Sequence, residues 1–384
     1  MTRTGLNGSP AGPRICFVAT GLARGGAEIQ LFHAVTGLRA RGFDVHVVCI
    51  LSHDYYGARL EECGVPVVYL NATRTTSPVR ILARFLRCMR DMDPVALAGF
   101  DYPGAMLARA GGTFARIPVV ISSIHSENFG GWLRRVALAW TDSLATITTA
   151  VSHRMAHQLV DLGAASSRVR VMPNGIDMQA LGPHLRSGRE ALRRALGVRE
   201  NEFLWLAVGR LEEPKDYPNL FAAAALLATG SPRVKLAIAG EGPLRDALHE
   251  KVTALGLDGV VSFLGHRGDV PSCMAAADAT VLASAWEGLP NVLIESLAVG
   301  TPLVCTDVGG AREIVQDGRS GFIVPPQNPG SLAAAMTALM ARTDEQRRRM
   351  GAAGRKHVEL HFALDQVLAR WSGLFDELLS AAAS

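Results

Sequence analysis

What most limits the fold of this chain is an alternation that occurs twice. Short β-branched runs are separated by longer stretches with helical spacing. Such a pattern builds βα units, whose parallel strands are covered on both faces and read as continuous apolar runs. In the first half, strands are expected at 15–19, 45–50, 67–70, 95–98, 119–124, 145–148 and 169–172, with helices between them. Pro173-Asn174-Gly175 interrupts the series, and the Gly/Pro/His-containing stretch 181–188 reads as a linker. The alternation restarts with strands expected at 203–208, 235–239, 260–264, 280–283, 303–306 and 322–324, before helical sequence from about residue 331 to the end. A length of 384 residues allows two or three domains, and the pattern reduces that to two consecutive α/β domains, each Rossmann-like. In the simplest arrangement the two face each other across a cleft, with ligands outside the carboxyl ends of the strands. The expected division is a flexible leader over 1–13, a first domain over 14–180, a second over 181–362 and a final helix over 363–384.

Composition narrows the classes further. An apolar fraction of 48% excludes global disorder, and no apolar run approaches the roughly 18 residues that span a bilayer. The opening residues lack the charged and apolar regions of a secretory signal. Cys16, Cys49, Cys63, Cys88, Cys273 and Cys305 include no CxxC pair and no histidine at zinc-ligand spacing. Free thiols in a reducing cytoplasm are expected, with no metal site. A net charge of +4 is too small to argue for nucleic acid, but it is unevenly placed. Residues 1–180 hold 18 basic against 12 acidic side chains, a balance of +6, and 181–384 hold 21 against 23, a balance of −2. Only four of the 39 basic residues are lysines, Lys215 among them.

Each half has a glycine-containing turn after its first strand. In the first, Gly21-Leu22-Ala23-Arg24-Gly25-Gly26 runs into a helix from Ala27. Backbone N–H groups can approach an anion at such a helix start, although the GxGxxG dinucleotide fingerprint is absent. An unliganded βα turn fits the same residues. In the second half, Gly209-Arg210 ends a strand and Lys215 follows across a Pro214 turn, placing two cations where a diphosphate would be held. A solvated surface pair is the alternative. Gly240-Glu241-Gly242 adds another turn at the same sheet edge.

The most informative stretch is Trp286-Glu287-Gly288-Leu289-Pro290-Asn291-Val292-Leu293-Ile294-Glu295. Pro290 suits the first turn of a helix, so Glu287 falls in the preceding loop and Glu295 inside the helix. A helix start flanked by two carboxylates fits a nucleotide-sugar, with phosphate on the helix, sugar hydroxyls on Glu287 and ribose hydroxyls on Glu295. His125 ends the strand at 119–124 and is a candidate active-site histidine, with a structural role as the alternative. Over 80–90, Arg80, Arg84, Arg87 and Arg90 share one face of a helix while Ile81, Leu82, Phe85, Leu86 and Met89 share the other. This basic amphipathic helix is either an ordinary surface helix or a transient contact with an anionic membrane.

In this order, the motifs resemble those of the retaining glycosyltransferases of family 4, which have the GT-B fold. The residues concerned are Gly25-Gly26-Ala27-Glu28, His125, Pro173-Asn174-Gly175-Ile176-Asp177, Gly209-Arg210-Leu211 with Lys215, Gly240-Glu241-Gly242, and Glu287 with Glu295 as an EX7E motif. The strongest segment runs over 287–325 and includes Val308-Gly309-Gly310-Ala311. The resemblance implies transfer of a sugar, with retention, from a nucleotide-diphospho-sugar to a hydroxyl acceptor. A lipid-linked oligosaccharide or surface polysaccharide is the acceptor expected by analogy.

It implies Arg210 and Lys215 on the diphosphate, Glu295 on the ribose, and Glu287 and His125 beside the transferred sugar. Gly25, Gly26, Gly209, Gly240, Glu241, Gly288, Leu289, Pro290, Asn291 and Val292 would line the donor, and Asn174 and Asp177 the acceptor side. No metal or other cofactor is implied, because the cations and helix dipole neutralise the diphosphate. The last helix would cross back to the first domain. The location implied is cytoplasmic, with Arg80, Arg84 and Arg87 available for the inner face of the plasma membrane. Ser296, where the family commonly has Ala, and Ser126-Glu127 are departures assigned to specificity.

Other readings were weighed on the same residues. Two carboxylates would serve a glycosidase, but Arg, Lys and a helix start suit phosphate better. A pyridoxal-phosphate phosphorylase would need Lys215 as its Schiff base. A hydrolysing nucleotide-sugar epimerase shares the architecture. A non-catalytic nucleotide-sugar or membrane-binding partner is the alternative from a different class.

Overall fold

A computed structural model describes residues 12–127, 130–182, 185, 188–230 and 233–384. Most of the expected leader therefore lies outside the described residues, as do parts of the expected linker. The chain forms two compact units. The first comprises Met1–Gly175 together with Leu364–Ser384, and the second comprises Ile176–Ala363. The division falls at Gly175/Ile176, where the sequence placed it after residue 180. Both sides of that junction are structured. Gln30 donates to the Gly175 carbonyl at 3.1 Å and accepts from its N–H at 2.7 Å, while the Ile176 N–H donates to the Phe362 carbonyl at 2.8 Å.

The first unit is built on parallel strands β1 (Arg14–Ala19), β2 (Asp44–Cys49), β3 (Val67–Tyr69), β4 (Ala96–Phe100), β5 (Val119–Ile124), β6 (Ile147–Ala150) and β7 (Val169–Val171). They form a seven-stranded sheet in the order β3-β2-β1-β4-β5-β6-β7. Side chains alternate across it with period two. Ile15, Phe17 and Ala19 enter one core with residues of helices Gly26–Ala40 and Leu364–Ala383, whereas Cys16 and Val18 enter the other with Phe85, Met89 and Ala108. Trp371 and Phe375 of the last helix pack edge-on against Phe17, and Phe375 also meets Phe43. A Cβ on Gly37 would collide with Leu368, so glycine lets these helices approach.

The second unit repeats the plan with β8 (Phe203–Val208), β9 (Val234–Ala239), β10 (Val261–Gly265), β11 (Ala279–Leu282), β12 (Leu303–Thr306) and β13 (Gly321–Val324). All pair in parallel in the order β10-β9-β8-β11-β12-β13. Two features recorded above have structural explanations. Ser296 is fully buried and donates to Thr280 Oγ1 at 2.8 Å and the Thr301 carbonyl at 3.0 Å, so it is a packing residue. The basic helix is Pro78–Met92, and Phe85, Met89 and Met92 on its apolar face are buried in the core while Ile81 and Leu82 pack against it. That face is largely taken up by the core, with Ile81, Leu82 and Leu86 partly buried. Arg84 donates to the Leu70 carbonyl at 2.6 Å, and the arginines form an exposed basic rim.

Candidate functional site

The second unit gathers the donor-side residues at the carboxyl ends of β8, β9 and β11. Two loops meet there. After β8, Gly209-Arg210-Leu211 leads into a short 3-10 turn, Glu213–Lys215, and Asp216 adopts a left-handed conformation (φ 43°) that reverses the chain before helix Tyr217–Gly230. After β11 comes the loop through Glu287, and the Ala285 N–H donates to the Pro214 carbonyl at 2.8 Å, tying the two loops together. The side chain of Lys215 folds back over Gly209, where a Cβ would lie 3.0 Å from its Cε. Glycine therefore makes room for the lysine stem.

The ammonium of Lys215 then meets Glu287 Oε1 at 2.5 Å, and Ser284 Oγ donates to the same oxygen at 2.7 Å. Both members of the pair are largely shielded, with side chains 22% and 15% exposed. The sequence placed Lys215 on a diphosphate and Glu287 on sugar hydroxyls. Without ligand they neutralise one another. Arg210 lies differently: it pairs with Glu212 at 2.5 Å and its side chain is 67% exposed. The two expected cations therefore differ, one held in place and one at the surface.

The Glu287-Gly288 backbone is positioned by a loop that sequence reasoning cited only as part of a resemblance. Gly309 has φ 51°, and a Cβ there would run into the Gly288 and Glu287 carbonyls; the Gly310 N–H donates to Gly288 O at 2.8 Å. Helix Asn291–Val299 starts immediately after Pro290, which caps it from outside. Its positive dipole end opens beside Glu287. Glu295 lies one turn further in, and burial raises its carboxyl above the usual range while Lys215 opposes the shift. Gly240 (φ 152°) abuts the Gly209 carbonyl, and the Leu211 N–H donates to Glu241 O at 2.9 Å. The Glu241 side chain is engaged by the His266 N–H at 3.3 Å.

Tyr217 and Asn219 were not singled out from the sequence. Tyr217 Oη donates to the Gly209 carbonyl at 2.9 Å, and its phenol is pushed up by burial and by Glu287. Asn219 is buried, with neither amide atom of its side chain bonded among the described residues. Their position just after Lys215 was the available signal. A hollow of about 770 Å³ opens elsewhere in this unit, around Arg189, Arg193, Asp278 and Arg347. Arg189 and Arg193 both bind Asp278, at 2.5 and 2.8 Å, so that hollow surrounds a structural ion-pair cluster.

In the first unit, His125 follows β5 and stacks on Phe100 with ring centroids 4.6 Å apart. Thr149 Oγ1 donates to Ser123 Oγ at 2.8 Å, and that hydroxyl stands 2.9 Å from His125 Nε2. The Ser123 hydroxyl serves Nε2 in either tautomer, and Nδ1 is buried without a partner among the described residues. Burial lowers the imidazole pKa to about 4. A neutral histidine with an unused ring nitrogen is suited to hydrogen-bond a hydroxyl.

The Gly25-Gly26 turn departs from expectation. A Cβ on Gly25 would fall on the Glu28 carboxylate, so an anion of the chain itself already lies at this helix start. Asn174 is buried. Asp177 belongs to the second unit, where its carboxylate accepts from the Gln179 and Ala180 N–H groups at 2.9 and 3.2 Å, a local turn. Glu127 pairs with Arg154 at 3.1 Å. One further residue was missed, Asp101 after β4. It adopts φ 57°, and burial pushes its carboxyl up to about 6. Among the described residues no group of three or more His, Cys, Asp or Glu side chains is placed to hold a metal.

Comparison with known proteins adds a second line. The family model described as "Glycosyl transferases group 1" matches residues 188–357, and "Glycosyl transferase 4-like domain" matches 25–175. An Escherichia coli protein, UDP-Gal:alpha-D-GlcNAc-diphosphoundecaprenol alpha-1,3-galactosyltransferase, is 24% identical over 79% of this chain and 81% of its own. A D-inositol 3-phosphate glycosyltransferase of Thermomonospora curvata is 34% identical over 59% of this chain; the chain spans 57% of that protein. Among solved structures, Anabaena HepE in complex with UDP superposes with a TM-score of 0.83 at 23% identity, over 95% of this chain and 100% of that one.

Proposed function

The chain belongs to the group 1 glycosyltransferases of the GT-B fold, and from that premise we propose that it moves a sugar, with retention and without a metal ion, from a UDP-sugar to a hydroxyl of a lipid-diphosphate-linked glycan. That it is a transferase using a nucleotide-sugar follows from the family. Uridine as the base is supported by the UDP bound to HepE and by the UDP-Gal named for the E. coli relative. The lipid-linked acceptor is supported by that same relative, whose match extends over most of both chains.

The observation that carries the reading is the Lys215–Glu287 pair, held at the start of helix Asn291–Val299 with Glu295 one turn beyond. In the proposed complex, the diphosphate takes Lys215 from Glu287 and lies on the dipole end of the helix. The released Glu287 accepts hydrogen bonds from the sugar, and Glu295 receives the ribose. Arg210 swings from Glu212 onto the distal phosphate. Gly209, Gly240, Gly288 and the segment Leu289 to Val292 allow close backbone approach, and the carbonyl of Glu241 supports the turn beside them.

As the bond between the anomeric carbon and the diphosphate oxygen breaks, negative charge grows on that oxygen beside Lys215, Arg210 and the helix end, and its stabilisation is the main catalytic term. The acceptor oxygen forms its bond on the same face, and its proton passes to the departing phosphate. Three cationic elements at the phosphate supply the neutralisation for which other transferases use a metal ion, which supports metal independence. The first unit is assigned the acceptor, with His125 Nδ1 as a hydroxyl ligand. The exposed arginines Arg80, Arg84 and Arg87 add a positive field on the same unit, suited to a cytoplasmic enzyme working at an anionic membrane surface. An epimerase or a non-catalytic binder is not favoured, since the named relatives are transferases.

Thermal unfolding with UDP, GDP and ADP tests the donor assignment. A ligand at one hundred times its Kd adds about 2.7 kcal/mol of stability. Stabilisation by UDP alone, followed by UDP release when a UDP-sugar and a polyprenyl-diphosphate-linked sugar are both supplied, is expected. Stabilisation by GDP or ADP in place of UDP would overturn it.

A further inference from the structure

Helix Trp132–Trp140 of the first unit presents its apolar stripe outward. At about 100° per residue, Trp132, Leu133, Val136 and Trp140 fall within about 100° of one another, while Leu138 lies on the opposite side. Leu138 is the buried residue of the helix. Trp132, Leu133 and Trp140 are 70%, 66% and 83% exposed, which puts two of the five tryptophans in solvent on one nine-residue helix. A surface helix normally turns this face to the core. Here the inner side is fixed by other means, since Arg109 Nη1 donates to the Leu138 carbonyl at 2.7 Å and Arg134 lies over the Tyr102 ring at 5.1 Å.

Charge selects the occupant. The helix carries Arg134 and Arg135, both exposed, and no acidic residue. The acidic neighbours in sequence are engaged: Glu127 with Arg154, and the buried Asp142 with Arg168 at 2.8 Å. Helix Asp101–Ala115 lies alongside, with Phe114 69% exposed. Beyond it packs helix Pro78–Met92, whose Phe85 meets Gly111 and whose outer rim holds Arg80, Arg84, Arg87 and Arg90. Helix Asp101–Ala115 thus has the arginine-bearing helix on one contact and the tryptophan-bearing helix on another. Tryptophan and arginine together are the composition of a helix lying in a bilayer interface, where the indole ring sits at headgroup depth and the guanidinium meets lipid phosphate. No helix of the described residues is long and apolar enough to cross a membrane.

We propose that helix Trp132–Trp140 lies in the headgroup layer of an anionic bilayer, with Trp132 and Trp140 inserted and Arg135 on lipid phosphate. The sequence offered membrane contact as one of two readings of the basic helix, now Pro78–Met92. The structure leaves that helix only an electrostatic share, because its apolar face is in the core.

The test is sedimentation of the full chain with phosphatidylglycerol/phosphatidylcholine vesicles and with phosphatidylcholine alone. Wild-type protein is expected on the anionic vesicles, released by high salt, with its tryptophan fluorescence quenched by brominated phosphatidylglycerol. Trp132→Ser/Trp140→Ser and Arg135→Glu should each weaken binding about tenfold, with the circular dichroism of wild type. Quenching needs no variant, so its absence overturns the proposal even if a variant fails to fold. Equal binding by the Trp132→Ser/Trp140→Ser protein also overturns it. So does a wild-type dimer that the same substitutions dissolve, because a second copy would then cover the face. UDP affinity measured on the same samples keeps the outcomes separate: its loss refutes the donor reading and leaves the membrane result standing.

Discussion

Replacing Lys215 by Met separates two effects of one side chain. In the unliganded protein the ammonium neutralises Glu287, 2.5 Å away, where side-chain exposures of 22% and 15% lie between a surface pair and a buried one. Surface pairs contribute about 0–1 kcal/mol, and breaking a fully buried pair costs about 3–5 kcal/mol. A loss of about 2 kcal/mol is therefore expected, lowering the unfolding midpoint of the second unit by about 4–8 °C. In the reaction the same ammonium stabilises the leaving diphosphate, and its removal should lower kcat by about 10²- to 10³-fold. A second substitution, Glu287→Gln, distinguishes the two. Lys215→Met/Glu287→Gln no longer leaves a shielded carboxylate unpaired, so calorimetry should show the midpoint largely recovered. UDP-release kinetics should show no recovery of kcat. Wild-type turnover in Lys215→Met would refute leaving-group stabilisation, and recovered turnover in the double variant would reduce the lysine to a counter-ion for Glu287.

Arg210→Ala should lower kcat by about 10²-fold while leaving the unfolding midpoint within a degree or so, because its partner contact is at the surface; an unchanged rate in steady-state kinetics would remove it from the site. His125 is held neutral with a folded-state pKa of about 4, below the value near 6.5 of an exposed histidine. The unfolded chain therefore takes up the proton first as pH falls. This contribution is present above about pH 6.5 and is lost progressively toward pH 4, up to about 3 kcal/mol. Urea titrations across that range should show the slope, and His125→Phe should flatten it. Gly309→Ala forces a side chain into a left-handed position against the Glu287-Gly288 backbone. A destabilisation of about 2 kcal/mol or more and weaker UDP binding are expected by calorimetry; a fully stable variant would mean the loop relaxes without moving Glu287.

The strands were legible in the sequence because a parallel sheet buries both faces, so each appears as an apolar run. β5, β8 and β12 fall on the expected residues, and the others differ by a residue or two at their ends. Strand-end positions also pointed to His125, Arg210 and Glu287. The pairings at those positions were not legible. Lys215 and Glu287 are 72 residues apart and meet only because β8 and β11 are neighbours in the sheet. The left-handed backbone of Asp101 is likewise a product of tertiary packing, whereas the Glu28 carboxylate over Gly25 is a local contact between the N-cap and the third helical residue, a spacing the sequence does carry. For the basic helix the period was right and left two readings open, of which the packing of Phe85, Met89 and Met92 agrees with the ordinary surface helix: amphipathicity shows that one face is apolar but not what covers it. Trp132–Trp140 is the converse case, in which the covered face is the narrow one.

The return of Leu364–Ala383 to the first unit bears on the order in which the protein is made. A ribosome delivers the whole of the second unit before the residues that complete the first. Until then Phe17, Phe43 and Phe100 lack Trp371 and Phe375, which pack on them in the finished sheet. Domains ordinarily fold from the amino terminus as they emerge. Here the order is different: the residues of the second unit are all delivered first, while one face of the first sheet stays uncovered until helix Leu364–Ala383 arrives. A nonsense codon between residues 363 and 375 would therefore remove Phe375 or more of that cover and damage the half of the protein that was synthesised first.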